Sequence, residues 1–159
     1  MFCMNSLGNL IGELCKVILP IKEEFYYGNP NASIAICTLS SLDLLKKISS
    51  SDIMNNVSIV GRLLSENKGI DSIINYVYQN KKIKTIIVCG KEVWGHKAGH
   101  SLFELYKHGI NDKGKIINSN SPDPFLTVSN SQVNYFQSKI TLINLINETN
   151  YNKIKEKIF

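Results

Sequence analysis

The sequence is poor in most of the features that would assign it quickly. It has one tryptophan, four prolines and four cysteines in 159 residues, and Arg62 is its sole arginine. No apolar run approaches the ~18 to 20 residues that a bilayer-spanning helix needs. The longest stretches, around Val17 to Ile21 and Ile86 to Cys89, are broken by Pro20 or ended by Gly90. Met1 to Leu10 lacks the basic start and continuous apolar centre of a secretory signal, so the expected location is the cytoplasm, with no membrane span in this chain. Cys3, Cys15, Cys37 and Cys89 form no C-x-x-C pair, which argues against a zinc ribbon or a disulfide framework. Cys37 and Cys89 fall in apolar runs and are expected as small buried thiols.

What is present is the composition of one globular domain: 43% hydrophobic and 19% charged residues. A chain of this length buries roughly two-thirds of its unfolded surface, so one core suffices without staples. The net charge of +5 raises the question of an anionic partner. The lysines, however, cluster at element ends (Lys46-Lys47, Lys81-Lys82-Lys84, Lys153-Lys155-Lys157) without interleaved aromatics. A solvated basic surface, with no nucleic-acid site, is the expectation.

Three runs read as strands covered on both faces: Ile34 to Thr38, Ile83 to Cys89 and Ile140 to Leu145, with a weaker fourth at Val57 to Gly61. Between them, apolar residues recur at helical spacing over Ser41 to Ile48, Gly69 to Gln79 and Lys97 to Lys107, the last closed by Gly109, and a short helix is read at Ser131 to Ser138. Alternation of strand and helix predicts an α/β fold, Rossmann-like, with a mainly parallel sheet flanked by helices. Lys113 to Asn130, with Pro122 and Pro124 at its tip, is expected to be a surface loop. The expected organisation is an N-terminal extension (1–27), the α/β domain (28–150) and a basic C-terminal tail (151–159).

In such sheets ligands bind where strands end at their carboxyl side. The stretch from Gly90 to His100 is the most informative of these ends, joining three glycines, Trp94, Glu92, two lysines, His96 and His100 in one strand-to-helix loop. The spacing fits neither a dinucleotide nor a P-loop fingerprint, and the glutamate of a His-Glu-x-x-His zinc helix is missing between His96 and His100. On residues alone His96 has two readings: a loop histidine bonded to a helix end or carbonyl, or a metal ligand or general base. His100 is read as a helix-face residue and His108 as a partner of the helix dipole. Trp94 is either a wall for a planar ligand or a plug over the core. Arg62 either pairs with Glu66 or neutralises a phosphate, and Glu66-Asn67 either caps the following helix or meets a ligand.

The order of these motifs resembles the A subunit of tetrahydromethanopterin S-methyltransferase, from the methyl-transferring, sodium-pumping complex of methanogenic archaea. The likeness runs through Gly28-Asn29-Pro30, Ile34 to Ser41, Glu66-Asn67-Lys68-Gly69-Ile70, Cys89 to Leu102, Leu105 to Ile110 and Gly114-Lys115-Ile116-Ile117. It covers most of residues 20 to 147, and Gly-x-Glu-Val-x-Gly-His-x-x-Gly together with Glu-Asn-x-Gly-Ile is its specific core.

The resemblance implies a domain that carries cobalamin or a related corrinoid and shuttles a methyl group on its cobalt, from methyl-tetrahydromethanopterin to coenzyme M. His96 matches the candidate cobalt ligand, which cobalt would hold when oxidised or methylated and release when reduced. The implied cofactor contacts come from three loops: Thr38, Leu39, Ser40 and Ser41; Arg62, Glu66 and Asn67; and Gly90, Glu92, Val93, Trp94, Gly95, His96 and Gly99. Other corrinoid carriers orient the histidine with an aspartate two residues earlier; Trp94 stands there in this sequence, so either Glu92 or a backbone carbonyl holds the ring, or His96 is not ligated in that manner. Implied partners are other methyltransferase subunits or a soluble methyltransferase. Membrane-bound members continue into a hydrophobic anchor where this sequence has its basic tail, so a form without the anchor is expected. The rival readings are a non-catalytic module binding a nucleotide-like anion and a cofactor-free interaction subunit.

Overall fold

A computed structural model describes residues 24–159 of the chain. Cys3, Cys15 and most of the expected extension lie outside the described residues. The sheet has five strands: β1 (Phe25–Tyr27), β2 (Ile34–Cys37), β3 (Ile59–Gly61), β4 (Thr85–Gly90) and β5 (Thr141–Ile146). Their spatial order is β1-β3-β2-β4-β5. The last four run parallel, and β1 joins the edge antiparallel to β3, with Tyr26 opposite Val60. The parallel, helix-flanked α/β architecture read from the sequence is therefore the one observed. The three residues of β1 belong to the segment expected as an extension.

The described residues form five helices, α1 (Leu42–Ser49), α2 (Lys68–Gln79), α3 (Ala98–His108) and α4 (Asn130–Lys139) between strands and α5 (Tyr151–Lys155) after the last strand, with a 3-10 turn at Asp52–Asn55. Successive strand residues face opposite sides of the sheet, and each side has its own core. Ala35, Cys37, Ile86 and Val88 meet Ile70, Ile74 and Val77 of α2, Leu102 and Leu105 of α3, and Phe136 of α4. Ile36, Ile87 and Cys89 meet Leu44, Leu45 and Ile48 of α1 and the fully buried Ile154 of α5. This explains the unbroken apolar runs of β2 and β4: neither face is left to water.

After β2 the chain winds outward to β3, then returns across β2 to place β4 and β5 on the other side. The order reverses between β2 and β4, so the carboxyl ends of these strands, near Thr38 and Gly90, mark the place where a doubly wound sheet offers a crevice.

Candidate functional site

The crevice is stitched shut. The backbone amide and hydroxyl of Ser40 both donate to the Lys91 carbonyl, at 3.1 and 2.7 Å, and the Lys91 amide donates to Oγ of Ser41 at 2.8 Å. Gly90 has φ +80°, and a Cβ there would stand 2.2 Å from the Thr38 carbonyl oxygen, so only glycine permits this approach. Thr38 is fully buried, with its hydroxyl 3.4 Å from the Gly61 carbonyl. Arg62 does not pair with Glu66: its Nε and Nη2 donate to the carbonyls of Leu39 and Ser40, at 3.4 and 3.1 Å. The guanidinium's fan of donors serves two carbonyls where a lysine would serve one. Thr38, Leu39, Ser40, Ser41, Arg62 and Gly90 thus brace the loops around the switch point.

Glu92 has a second internal task. Its Oε1 accepts from the amides of Val93 and Gly99, at 2.7 and 3.0 Å, and its Oε2 accepts from the His100 amide at 2.8 Å. A carboxylate on the unpaired amides of a helix start, at its positive end, satisfies donors that the helix leaves open. Val93 is buried, and a Cβ on Gly99 would crowd Glu92, Leu39 and Ile146. Of the alternatives left open for the His96 ring, Glu92 is therefore not the one that holds it; Glu92 fixes the loop that presents the ring.

Between these anchors the turn Trp94-Gly95-His96 projects outward. Trp94 is 96% exposed, which excludes the plug over the core. Gly95 has φ +82°, and a Cβ there would meet nothing within 4 Å, so its backbone faces open space.

The His96 ring is held by Glu66, which is 1% exposed. Glu66 Oε2 lies 2.8 Å from His96 Nδ1, while its Oε1 accepts from the Asp123 amide at 2.9 Å. A carboxylate can only accept, so the proton of this bond belongs to Nδ1, and in the neutral imidazole Nε2 then carries the lone pair. The His96 side chain is 54% exposed. Asn67 caps α2 by accepting from the Lys68 amide at 2.7 Å, and its Nδ2 donates to Asp123 Oδ2 at 2.9 Å. Of the two options for Glu66-Asn67, Asn67 takes the cap and Glu66 takes the histidine.

The other histidines differ. His108 ends α3 with Nε2 3.6 Å from Glu104. His100 lies in the first turn of α3, and its Nε2 is buried with no hydrogen-bond partner among the described residues. Among the described residues no three His, Cys, Asp or Glu side chains converge on one point. Cys37 and Cys89 are buried; burial raises both thiols, Cys37 to about 12. An apolar cavity of about 280 Å³ lies between β1, β2, β3 and α2, lined by Phe25, Cys37, Ile73 and Tyr76, away from the 90–100 loop.

The segment 119–123, expected only as part of a surface loop, forms a wall of the site. Asp123 reaches Glu66 and Asn67, while Ser119 and Ser121 meet the buried Ser101 of α3 at 2.7 and 2.6 Å. No local spacing could announce contacts between residues 57 positions apart.

The family described as the A subunit of tetrahydromethanopterin S-methyltransferase matches residues 16–159. A protein from Methanosarcina barkeri, named as the A subunit of the putative methyltransferase Mtx, is 36% identical over 135 residues, covering 84% of this chain and 64% of its own. Its namesake from Methanosarcina acetivorans is 35% identical over 128 residues, 80% of this chain and 61% of its own. The A subunit of tetrahydromethanopterin S-methyltransferase from Methanococcus maripaludis is 33% identical over 137 residues, 85% of this chain and 56% of its own. The chain thus spans little more than half to just under two-thirds of the length of these relatives.

Proposed function

Because the chain belongs to the family of tetrahydromethanopterin S-methyltransferase A subunits, and so to a family of methyltransferase components, we propose that it is a corrinoid carrier in which His96 would be the protein's conditional ligand to cobalt. The observation that carries this reading is the Glu66–His96 pair, which pins Nδ1–H and leaves Nε2 with a lone pair on an exposed ring. A metal-binding histidine characteristically gives its other ring nitrogen to a carboxylate, which fixes the tautomer and raises the basicity of the ligating nitrogen.

The donor set fits the cofactor. A corrin would bring its own ring nitrogens to the cobalt, so His96 is the ligand this chain would supply. The macrocycle is broad and rimmed with amides, and the turn around His96 is open rather than enclosed, with Gly95 backbone and the Trp94 indole facing outward. A bound corrinoid would supply cobalt that takes up and releases a methyl group, from methyl-tetrahydromethanopterin towards coenzyme M.

The chain's own part is to hold and to let go. Glu92 and the Ser40–Lys91 stitches keep the loop still, so that ring position is set by Glu66 and not by loop wandering. Trp94 offers a flat apolar wall. When His96 is not engaged, its Nδ1–H bond to Glu66 keeps the ring ready for return. Other subunits of the methyltransferase are the partners of this reading. Arg62 already serves two loop carbonyls, which disfavours the rival in which it neutralises the phosphate of a nucleotide-like ligand.

The test is reconstitution. Purified protein is mixed with hydroxocobalamin, freed of excess and examined in the visible range, with Trp94, the sole tryptophan, as an independent fluorescence probe. Retained corrin bands, quenched emission and a band shift on His96→Ala are the expected results. Colourless protein with unquenched Trp94 refutes the carrier; a cofactor-free interaction subunit then remains, or an anion-binding module if nucleotide is retained instead.

A further inference from the structure

The prolines at 122 and 124 flank Asp123, whose backbone amide reaches the Glu66 carboxylate. Pro122 has its φ fixed by its ring, and Ser121 and Asp123, each preceding a proline, are biased to extended backbone, so the chain around Asp123 has few conformations open to it. Glu66 accepts that amide at 2.9 Å with one oxygen and faces His96 with the other. The same segment also meets the residue that follows the histidine. Oγ of Ser121 lies 2.6 Å from Oγ of Ser101 and 3.3 Å from the carbonyl oxygen of Lys97, the residue after His96, which itself has φ +48°. The segment is anchored outside the site by the Ile116 amide, which donates to the Pro124 carbonyl at 2.8 Å. A side-chain bond from Asn67 Nδ2 to Asp123 Oδ2 joins it to the start of α2.

We propose that the proline-flanked segment Ser119 to Asp123 is the positioning element of the His96 ring, with the Asp123 amide fixing Glu66 and the Asn67–Asp123 bond acting as its latch. The proposal deepens the reading of His96 as a ligand and takes its functional meaning from it. Whatever displaces this segment, such as a partner subunit pressing on it, would release Glu66 and let the ring turn. The lone pair would then pass from Nε2 to Nδ1 as the tautomer changes. Asp123 and Asn67 act through Glu66 and have no contact with reacting atoms in this scheme.

The test uses the protein without corrinoid and reads the ring directly by nitrogen NMR, together with amide hydrogen exchange at Asp123. Asn67→Asp keeps an oxygen to cap Lys68 but sets a carboxylate against Asp123, opening the latch without uncapping α2. Loss of the latch bond is expected to speed exchange at Asp123 about tenfold, the size of one net hydrogen bond, and to convert His96 from the Nδ1–H form to a mixture. Adding Asp123→Asn restores a donor–acceptor pair of reversed sense and is expected to restore both readouts. The proposal is overturned if the tautomer stays fixed while exchange quickens, if exchange does not change, or if the double variant fails to recover. None of these readouts needs cobalamin, so a protein that binds no corrin leaves this test standing, and the two failures remain distinct.

Discussion

Glu66 and His96 follow different strands, β3 and β4, and meet above the end of β2, which lies between them, at 2.8 Å. The pair exists because the loops after these two strands are each braced at their roots, one through Arg62 and the other through Glu92 and Lys91. A long-range pair held by two braced loops responds to changes in the carboxylate more sharply than to changes in the loop surface.

Replacing Glu66 by Gln keeps the size of the side chain and an acceptor for the Asp123 amide, but turns an NH2 group towards Nδ1. The ring then carries its proton on Nε2 and loses the outward lone pair. Corrinoid affinity is expected to fall about 10- to 100-fold, the usual cost of losing the group behind a metal-binding histidine. Titration with hydroxocobalamin, followed by its visible bands, measures the change.

Asp71 of α2 is buried and takes three bonds from Thr127, two from its amide at 3.0 Å and one from its hydroxyl at 2.7 Å, and a further one from the Val128 amide at 3.3 Å. Asp71→Ala strands these donors and is expected to cost about 2–4 kcal/mol of stability. Asp71→Asn keeps one acceptor oxygen and is expected to lose less. Urea unfolding of both variants gives the comparison.

Cys37 and Cys89 are expected to resist alkylation near pH 8 and to react only when the protein unfolds, as mass spectrometry of the labelled peptides would show. Burial raises the Cys37 thiol from 9.0 to about 12. The folded chain therefore keeps a proton that the unfolded chain gives up above pH 9, so this group's contribution to stability declines as pH rises from 9 to 12. Cys37→Ser is expected to reduce that alkaline slope.

The C-terminal helix α5 is tied down by exposed ion pairs, Lys155 to Asp52 at 3.1 Å and Lys153 to Glu148 at 2.9 Å. The hydrogen bond from Lys155 lowers the Asp52 carboxyl, and that from Lys153 lowers Glu148. Both contributions are present above the ordinary carboxylate values and fade as pH falls through the lowered ones. The Lys153 ammonium is raised by Glu148, so its share persists to alkaline pH and is lost only above the usual lysine value. Protection of the Ile154 amide against hydrogen exchange, taken relative to the intrinsic rate at each pH, is expected to fall in acid and with added salt, while Ile154 burial holds the helix at neutral pH.

Much of the fold is legible in the residue pattern, because β2 and β4 carry unbroken apolar runs and α1, α2 and α3 carry clean apolar stripes; β5, expected to be covered on both faces, is instead a half-exposed edge strand whose run is interrupted by Asn144. The pattern places each within one or two residues of its observed ends. β1 is not legible: Phe25–Tyr27 is three residues long and is a strand only through its pairing with β3. At the site, local chemistry marks out the 90–100 loop as a place of unusual density, and it marks Asn67 as a cap. It does not show that Glu66 chooses His96 over Arg62, since that choice depends on which loops the sheet order brings together. Nor does it show that the hydroxyls at 38, 40 and 41 are consumed by neighbouring backbone groups.

The sewn seam between the Ser40 and Lys91 loops has a consequence for traffic across this end of the protein. A closed seam gives a visiting molecule no slot to enter, so anything bound at the imidazole rests on the surface like an object on a table, with its far side turned to solvent. On the carrier reading proposed above, that far side is the face a second protein would meet.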